Sequence, residues 1–182
     1  MISLTNQELL IGLIVVGLIV FLFWKKKQPD ADGRYPDSAV NVEFVEQLLL
    51  KEFKLVRNEK LKLGYTEKTI EKQLESLFQS KIQHVVSQYG LDGASGQKID
   101  FDLGRGEVGV EIKLAHAVFK AAGQDRMVGQ IQSYIKSKYS DENLLLVIFC
   151  EAEHIAQRAI KKSIEERLEG MSVKVLFLEM KA

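Results

Sequence analysis

Four ionisable side chains stand in a stretch otherwise suited to a core. In KIDFDLGRGEVGVEIKLA, residues 98–115, Asp100, Asp102, Glu111 and Lys113 alternate with Ile99, Phe101, Leu103, Val110, Ile112 and Leu114. That alternation predicts two strands around a glycine-containing turn, GRGE at 104–107. Successive strand side chains point to opposite faces, so Asp100 and Asp102 are expected on one face and Ile99, Phe101 and Leu103 on the other. Glu111 and Lys113 likewise share a face. With GRGE as the loop, Leu103 pairs with Val108, which sets Asp102 opposite Gly109, Asp100 opposite Glu111 and Lys98 opposite Lys113. Opposed strand residues have Cβ atoms about 4.5–5.5 Å apart. Two carboxylates at that spacing repel unless a cation lies between them. Hard oxygen ligands suit Mg²⁺ (or Mn²⁺), which keeps waters and also takes substrate phosphate. Lys113 on the same side can hold or polarise a water for attack on phosphorus. Asp102 is the alternative metal ligand, because a small change of loop register reverses the choice. The competing reading is a solvated hairpin face on which Lys98 and Lys113 offset the acids.

The elements that must position these residues follow from periodicity. NVEFVEQLLLKEFKLVRNEKLK, from Asn41, reads as a first helix broken near Gly64. Thr66 can N-cap a second helix, expected to run to Gly90. After the two strands, QDRMVGQIQSYIKSKY reads as a helix and NLLLVIFC as a fully buried strand. EHIAQRAIKKSIEERLEG is an amphipathic helix closed by Gly170, and SVKVLFLEM a last strand. The fold class is therefore α/β, a mixed sheet flanked by helices. The hairpin supplies its antiparallel part and the apolar strands its parallel part.

An Asp on one strand followed by Glu-x-Lys on the next, here Asp100 then Glu111-Ile112-Lys113, resembles the signature of the PD-(D/E)XK nuclease superfamily. QIQSY at 130–134 matches the Gln-x-x-x-Tyr motif of its RecB-type members, on the helix after the hairpin. A helix also precedes the hairpin, as in the family's αβββαβ core, although one core strand is not evident and Ile99 stands where the family name has proline. The resemblance implies a restriction-endonuclease-like fold. It implies Asp100, Glu111 and the Ile112 backbone carbonyl as Mg²⁺ ligands, and Lys113 as the residue that positions the nucleophilic water. Gln130 and Tyr134 would shape the site and contact the substrate backbone. Members often add a glutamate from the preceding helix. On a wheel of about 100° per residue, Glu71 falls within the apolar face of Ile70, Leu74, Leu77, Phe78, Ile82 and Val85, which makes it the choice over Glu75 at the edge.

The chain of 182 residues holds 25 basic and 25 acidic side chains. Beyond residue 27 the count is 22 against 24, so no broadly basic surface is present, and contact with nucleic acid would be local. Lys120, Arg126, Lys136 and Lys138 could supply such a patch. Cys150 is the single cysteine, which excludes an intrachain disulfide and suits a reducing compartment. The three histidines lack metal-ligand spacing. LLIGLIVVGLIVFLFW, residues 9–24, is uncharged, ends on Trp24 and is followed by Lys25, Lys26 and Lys27. It reads as an uncleaved transmembrane helix over about residues 8–24, with the N-terminus outside and the rest cytoplasmic, at the inner or plasma membrane. The organisation expected is an anchor over 1–27, a linker over 28–40 containing both prolines, and a nuclease-like domain over 41–182. The function expected is Mg²⁺-dependent cleavage of nucleic acid, DNA before RNA. A catalytically inactive nuclease-fold module at the membrane is the alternative. Oligomeric state stays open, a homodimer included.

Overall fold

The structure is a computed structural model describing residues 15–16, 18–21, 27–53, 66–91, 96–140, 142–150 and 158–179. The expected transmembrane run lies largely outside these residues. Among the described residues no helix is long and apolar enough to cross a membrane. The few described positions of the run, Val15, Val16 and Leu18 to Phe21, are helical with exposed apolar side chains.

Two helices come first, α1 (Val42–Glu52) and α2 (Glu67–Lys81). Asn41 caps α1 by accepting the Phe44 N–H at 2.8 Å. Thr66, the expected N-cap, closes a reciprocal capping box with Thr69 at the start of α2. The helix does not continue to Gly90. It stops at Lys81, and Val85–Gly90 form strand β1. The apolar spacing from Ile70 through Ile82 to Val85 continues the helical period past the true end. The β-branched pair Val85–Val86 is the local signal that favours a strand. β2 (Lys98–Leu103), β3 (Val108–Leu114), β4 (Leu144–Cys150) and β5 (Lys174–Glu179) complete one five-stranded sheet in chain order. A single turn, α3 (Ala115–Val118), and α4 (Ala121–Ser137) connect β3 to β4. Helix α5 (Arg158–Leu168) lies between β4 and β5.

β1, β2 and β3 are antiparallel, whereas β3, β4 and β5 are parallel. Leu103 pairs with Val108 and Asp102 with Gly109, the register implied by the GRGE turn. Each sheet face is covered. Val45, Leu49, Ile70, Leu74 and Phe78 of α1 and α2 pack on Phe101, Val110, Ile112 and Val147. Phe78 meets Phe101 edge-on at 5.2 Å between ring centroids, a geometry worth about 0.5–1.5 kcal/mol beyond the area it buries. On the other face, Met127, Ile131 and Tyr134 of α4 and Ile164 of α5 pack on Leu144, Leu146 and Ile148. β4 is apolar throughout because it is buried on both sides.

Much of the expected linker is folded onto this body. Tyr35 bridges to Ile82, donating its N–H to the Lys81 carbonyl at 2.7 Å, and its ring packs edge-on against Phe44. Asp30 accepts from Gln83 Nε2 at 3.1 Å. Asp37 holds His84 Nδ1 at 2.9 Å and Arg105 Nε at 3.4 Å, which ties the segment to the β2–β3 turn.

Candidate metal and active site

The site forms where the ladder fails. Register between β2 and β3 ends at Phe101↔Val110. Beyond it Asp100 Oδ2 accepts the Ile112 N–H at 2.7 Å, so a side chain replaces the next backbone acceptor. The expected opposition of Asp100 and Glu111 as a paired rung is therefore absent. Across β2 the pairing of β1 also skips one position: Ser87 pairs with Phe101 and Tyr89 with Ile99, while Gln88 between them has φ +52°. An L-residue in this left-handed region rotates the strand about its axis.

The facing of both strands inverts there. Val85, Phe101 and Leu103 belong to the α1–α2 core, but Tyr89 and Ile99 belong to the α4–α5 core. Asp100 and Asp102 thus do not share a face, contrary to simple alternation. Asp102 turns towards the end of α4, where its Oδ2 accepts from Tyr139 Oη at 2.9 Å and from Lys138 Nζ. Lys138 is thereby committed to an internal ion pair and to the Tyr89 ring, 3.9 Å from its centroid, rather than to a phosphate patch. Gly109 makes this packing possible. A Cβ there would sit 2.7 Å from Ile99 Cδ1 and 2.8 Å from the Tyr139 ring.

Asp100 turns instead towards β1 and α2. Its Oδ1 accepts from Gln88 Nε2 at 3.1 Å, and the same amide lies 3.4 Å from Glu71 Oε2. Glu71 and Glu67 both project from the first half of α2, and Glu67 Oε1 accepts the Leu114 N–H at 3.2 Å. Glu111 and Lys113 share a strand face as their spacing requires, and Lys113 Nζ contacts Glu111 Oε1 at 2.5 Å. Glu111 is buried, and its Oε2 has no hydrogen-bond partner. Ile112 buries its side chain in the α1–α2 core between them. Tyr134 places its hydroxyl beside Glu111 and donates a hydrogen bond to the Lys98 carbonyl at 2.8 Å. Gln130, one helical turn earlier, is half-buried, and no hydrogen bond among the described residues joins it to this group.

The electrostatics follow from burial and crowding. Burial, followed by the Asp100 charge, pushes Glu111 up to about 7 against the pull of Lys113. Asp100 is raised by burial, although the Ile112 N–H and Lys113 oppose the shift. Glu71 is raised by burial, then by Asp100 and Glu67. Burial works against charge on Lys113, but Glu111, Asp100 and Glu67 outweigh it and hold its pKa above the ordinary lysine value. Burial and Glu111 raise Tyr134, so its hydroxyl remains a donor. Buried acids raised by a neighbouring carboxylate beside a charged amine are a frequent mark of a functional site.

The structure thus brings together Asp100, Glu111, Lys113, Glu71 and Tyr134. Asp102 has separate partners. Sequence reasoning passed over Gln88 and Glu67. Glu67 carried a weak signal as an acid in the first turn of a helix. Gln88 carried none, because a polar residue in an edge strand is ordinary. Among the described residues no three His, Cys, Asp or Glu side chains converge as a ready metal cage. Comparison with family models, curated proteins and solved structures finds no match.

Proposed function

We propose that this chain is a membrane-anchored, Mg²⁺-dependent nuclease that hydrolyses phosphodiester bonds, in DNA before RNA. The carrying observation is the meeting of Asp100, Glu111 and Lys113 where β2 and β3 cease to pair, with one buried Glu111 oxygen unpartnered. Leaving a buried acceptor unsatisfied costs about 1–3 kcal/mol, and more for a charged group, so such an atom calls for a ligand. Oxygen donors of this kind fit Mg²⁺ or Mn²⁺. The element order α2–β1–β2–β3–α4–β4 supports the PD-(D/E)XK reading, because β1 supplies the strand that its αβββαβ core needs. The uncharged run 9–24 and the three lysines after it support single-pass anchoring at the inner or plasma membrane.

Asp100, Glu111 and the Ile112 carbonyl would hold the ion, with Glu71 at its edge. When bound, the ion supplies charge neutralisation at the phosphate and a more acidic water. Lys113 remains an ammonium in a half-buried position. It can orient the attacking water and stabilise negative charge that develops on a phosphate oxygen. Tyr134 fixes the start of β2 against α4 through Lys98 and limits the room around Glu111. Gln130, a turn earlier on α4, would meet the substrate backbone. Asp102 is set aside as a ligand, because Lys138 and Tyr139 already satisfy it.

The test is cleavage of labelled DNA and RNA by the full chain in detergent with Mg²⁺. Lys113→Ala and Glu111→Ala are expected to keep the fold and lose about 100-fold or more in rate. Variants that cut as fast as wild type overturn the assignment. Two observations favour a second reading, a non-catalytic nuclease-fold module used for binding at the membrane. Lys113 closes directly on Glu111, and the described residues offer no three-acid cage. Calorimetric titration with Mn²⁺, alone and with oligonucleotide, separates the two, since this module shows no site-dependent binding.

A further inference from the structure

Gln88 occupies the strangest backbone position in the sheet. It sits in the middle of β1 at φ +52°, opposite Asp100, at the rung both neighbouring pairs skip. A long side chain held in the left-handed region costs on the order of 1 kcal/mol and persists only when its surroundings impose it. A glycine would adopt the same φ without strain. What the glutamine adds is its amide, which reaches Asp100 Oδ1 at 3.1 Å and Glu71 Oε2 at 3.4 Å. Two acids on different elements are therefore joined by one neutral group.

Those spacings have a chemical meaning. Ligand oxygens about 2.1 Å from Mg²⁺ in an octahedron are about 3.0 Å apart when adjacent. The amide nitrogen stands 3.1 Å from Asp100 Oδ1, close to that edge, and 3.4 Å from Glu71 Oε2, a few tenths of an ångström beyond it. Facing two acceptors, the amide must present its NH₂; facing a cation, it must present its oxygen. Rotation of the terminal amide by about 180° exchanges the two atoms in place, a soft torsion in glutamine. A second observation points to a ligand at the same group: Glu111, with a side chain 3 % exposed, keeps Oε2 without a hydrogen-bond partner.

We propose that Gln88 is a ligand of the divalent ion through its amide oxygen, and that in the metal-free protein its NH₂ holds Glu71 and Asp100 in the cation's stead. This inference rests on the metal-dependent reading above. A further neutral donor adds coordination without adding repulsion among Glu71, Asp100 and Glu111. The strain at residue 88 then has a purpose, since the side chain it holds joins Asp100 on β2 to Glu71 on α2.

The experiment is calorimetric titration of the full chain in detergent with Mn²⁺, for wild type, Gln88→Gly, Gln88→Glu and Asp100→Ala. Gln88→Gly removes the side chain and relieves the backbone, so it folds; far-UV circular dichroism checks this. Its Mn²⁺ affinity is expected to fall about tenfold. Gln88→Glu restores an oxygen donor and is expected to bind at least as tightly as wild type, with lower metal-free thermal stability. Asp100→Ala is expected to lose the site. Wild-type binding that disappears in Asp100→Ala but is unchanged or tighter in Gln88→Gly overturns the role of Gln88 alone. Absence of Mn²⁺ binding by wild type overturns it together with the metal-dependent reading.

Discussion

Replacing Glu111 with glutamine should make the metal-free protein more stable, and increasingly so as pH rises. Glu111 is 2 % exposed, with Lys113 on one oxygen, the Tyr134 hydroxyl beside it, and no hydrogen bond to Oε2. Its pKa is raised to about 7 from an ordinary 4.5. Between those two values the folded chain keeps a proton that the unfolded chain has released. A group raised in this sense lowers stability as pH rises through the window; the loss is complete above the folded value and absent below the unfolded one. At about 1.36 kcal/mol per pH unit, the loss approaches 3 kcal/mol. Glutamine does not titrate, so the gap between variant and wild type should widen by about that amount from about pH 4.5 to about pH 8. For a chain of this size that is a divergence of about 6–12 °C in midpoint. Comparing the two proteins across pH cancels the difference in packing between acid and amide. The assay is thermal unfolding by circular dichroism of the full chain in detergent with a chelator. A gap that stays constant across this range would refute the claim that burial opposes ionisation of Glu111. Excess Mg²⁺ should narrow the gap at the upper end, because only the carboxylate gains from the cation.

Other outcomes follow from the same geometry. Asp102→Asn should lower stability by about 1–3 kcal/mol, by weakening the hold on Lys138 and Tyr139, and leave Mn²⁺ affinity unchanged; Asp100→Asn should weaken Mn²⁺ binding, and calorimetry distinguishes them. Gly109→Ala should destabilise by about 1–3 kcal/mol, read from urea midpoints, because the new methyl meets Ile99 and the Tyr139 ring. Hydrogen exchange over residues 85–90 should show alternating protection, as an edge strand pairs only one row of its amides; uniform protection would indicate that α2 continues through this segment.

Much of the fold was legible because local chemistry and global packing agree. β4 reads as a strand from its unbroken apolar run, and the β2–β3 register follows from the length of GRGE. β1 was hidden by coincidence of period. Ile82 and Val85 lie at helical spacing from Phe78, yet Ile82 is a cap and Val85 a strand residue. The site was legible in its residue types but not in its facing. Asp100 and Asp102 obey period two on paper, whereas the facing of β2 inverts between them, beside a left-handed residue on the neighbouring strand. No pattern within residues 98–115 can report a twist imposed by residue 88. Lys138 likewise looked like free surface charge, because its carboxylate partner lies 36 positions away in sequence.

Tyr35, Asp30 and Asp37 fasten the segment before α1 to the residues just ahead of β1 and to the β2–β3 turn. From Trp24 to Asp30 the backbone can stretch no more than about 20 Å. Anything that held Trp24 in place would therefore keep the fastened body within that distance. Lys113 lies five residues up β3 from the fastened end, a climb of about 16 Å. Lys113 thus stands at the far end of β3 from this fastening, on the side left clear of the folded segment.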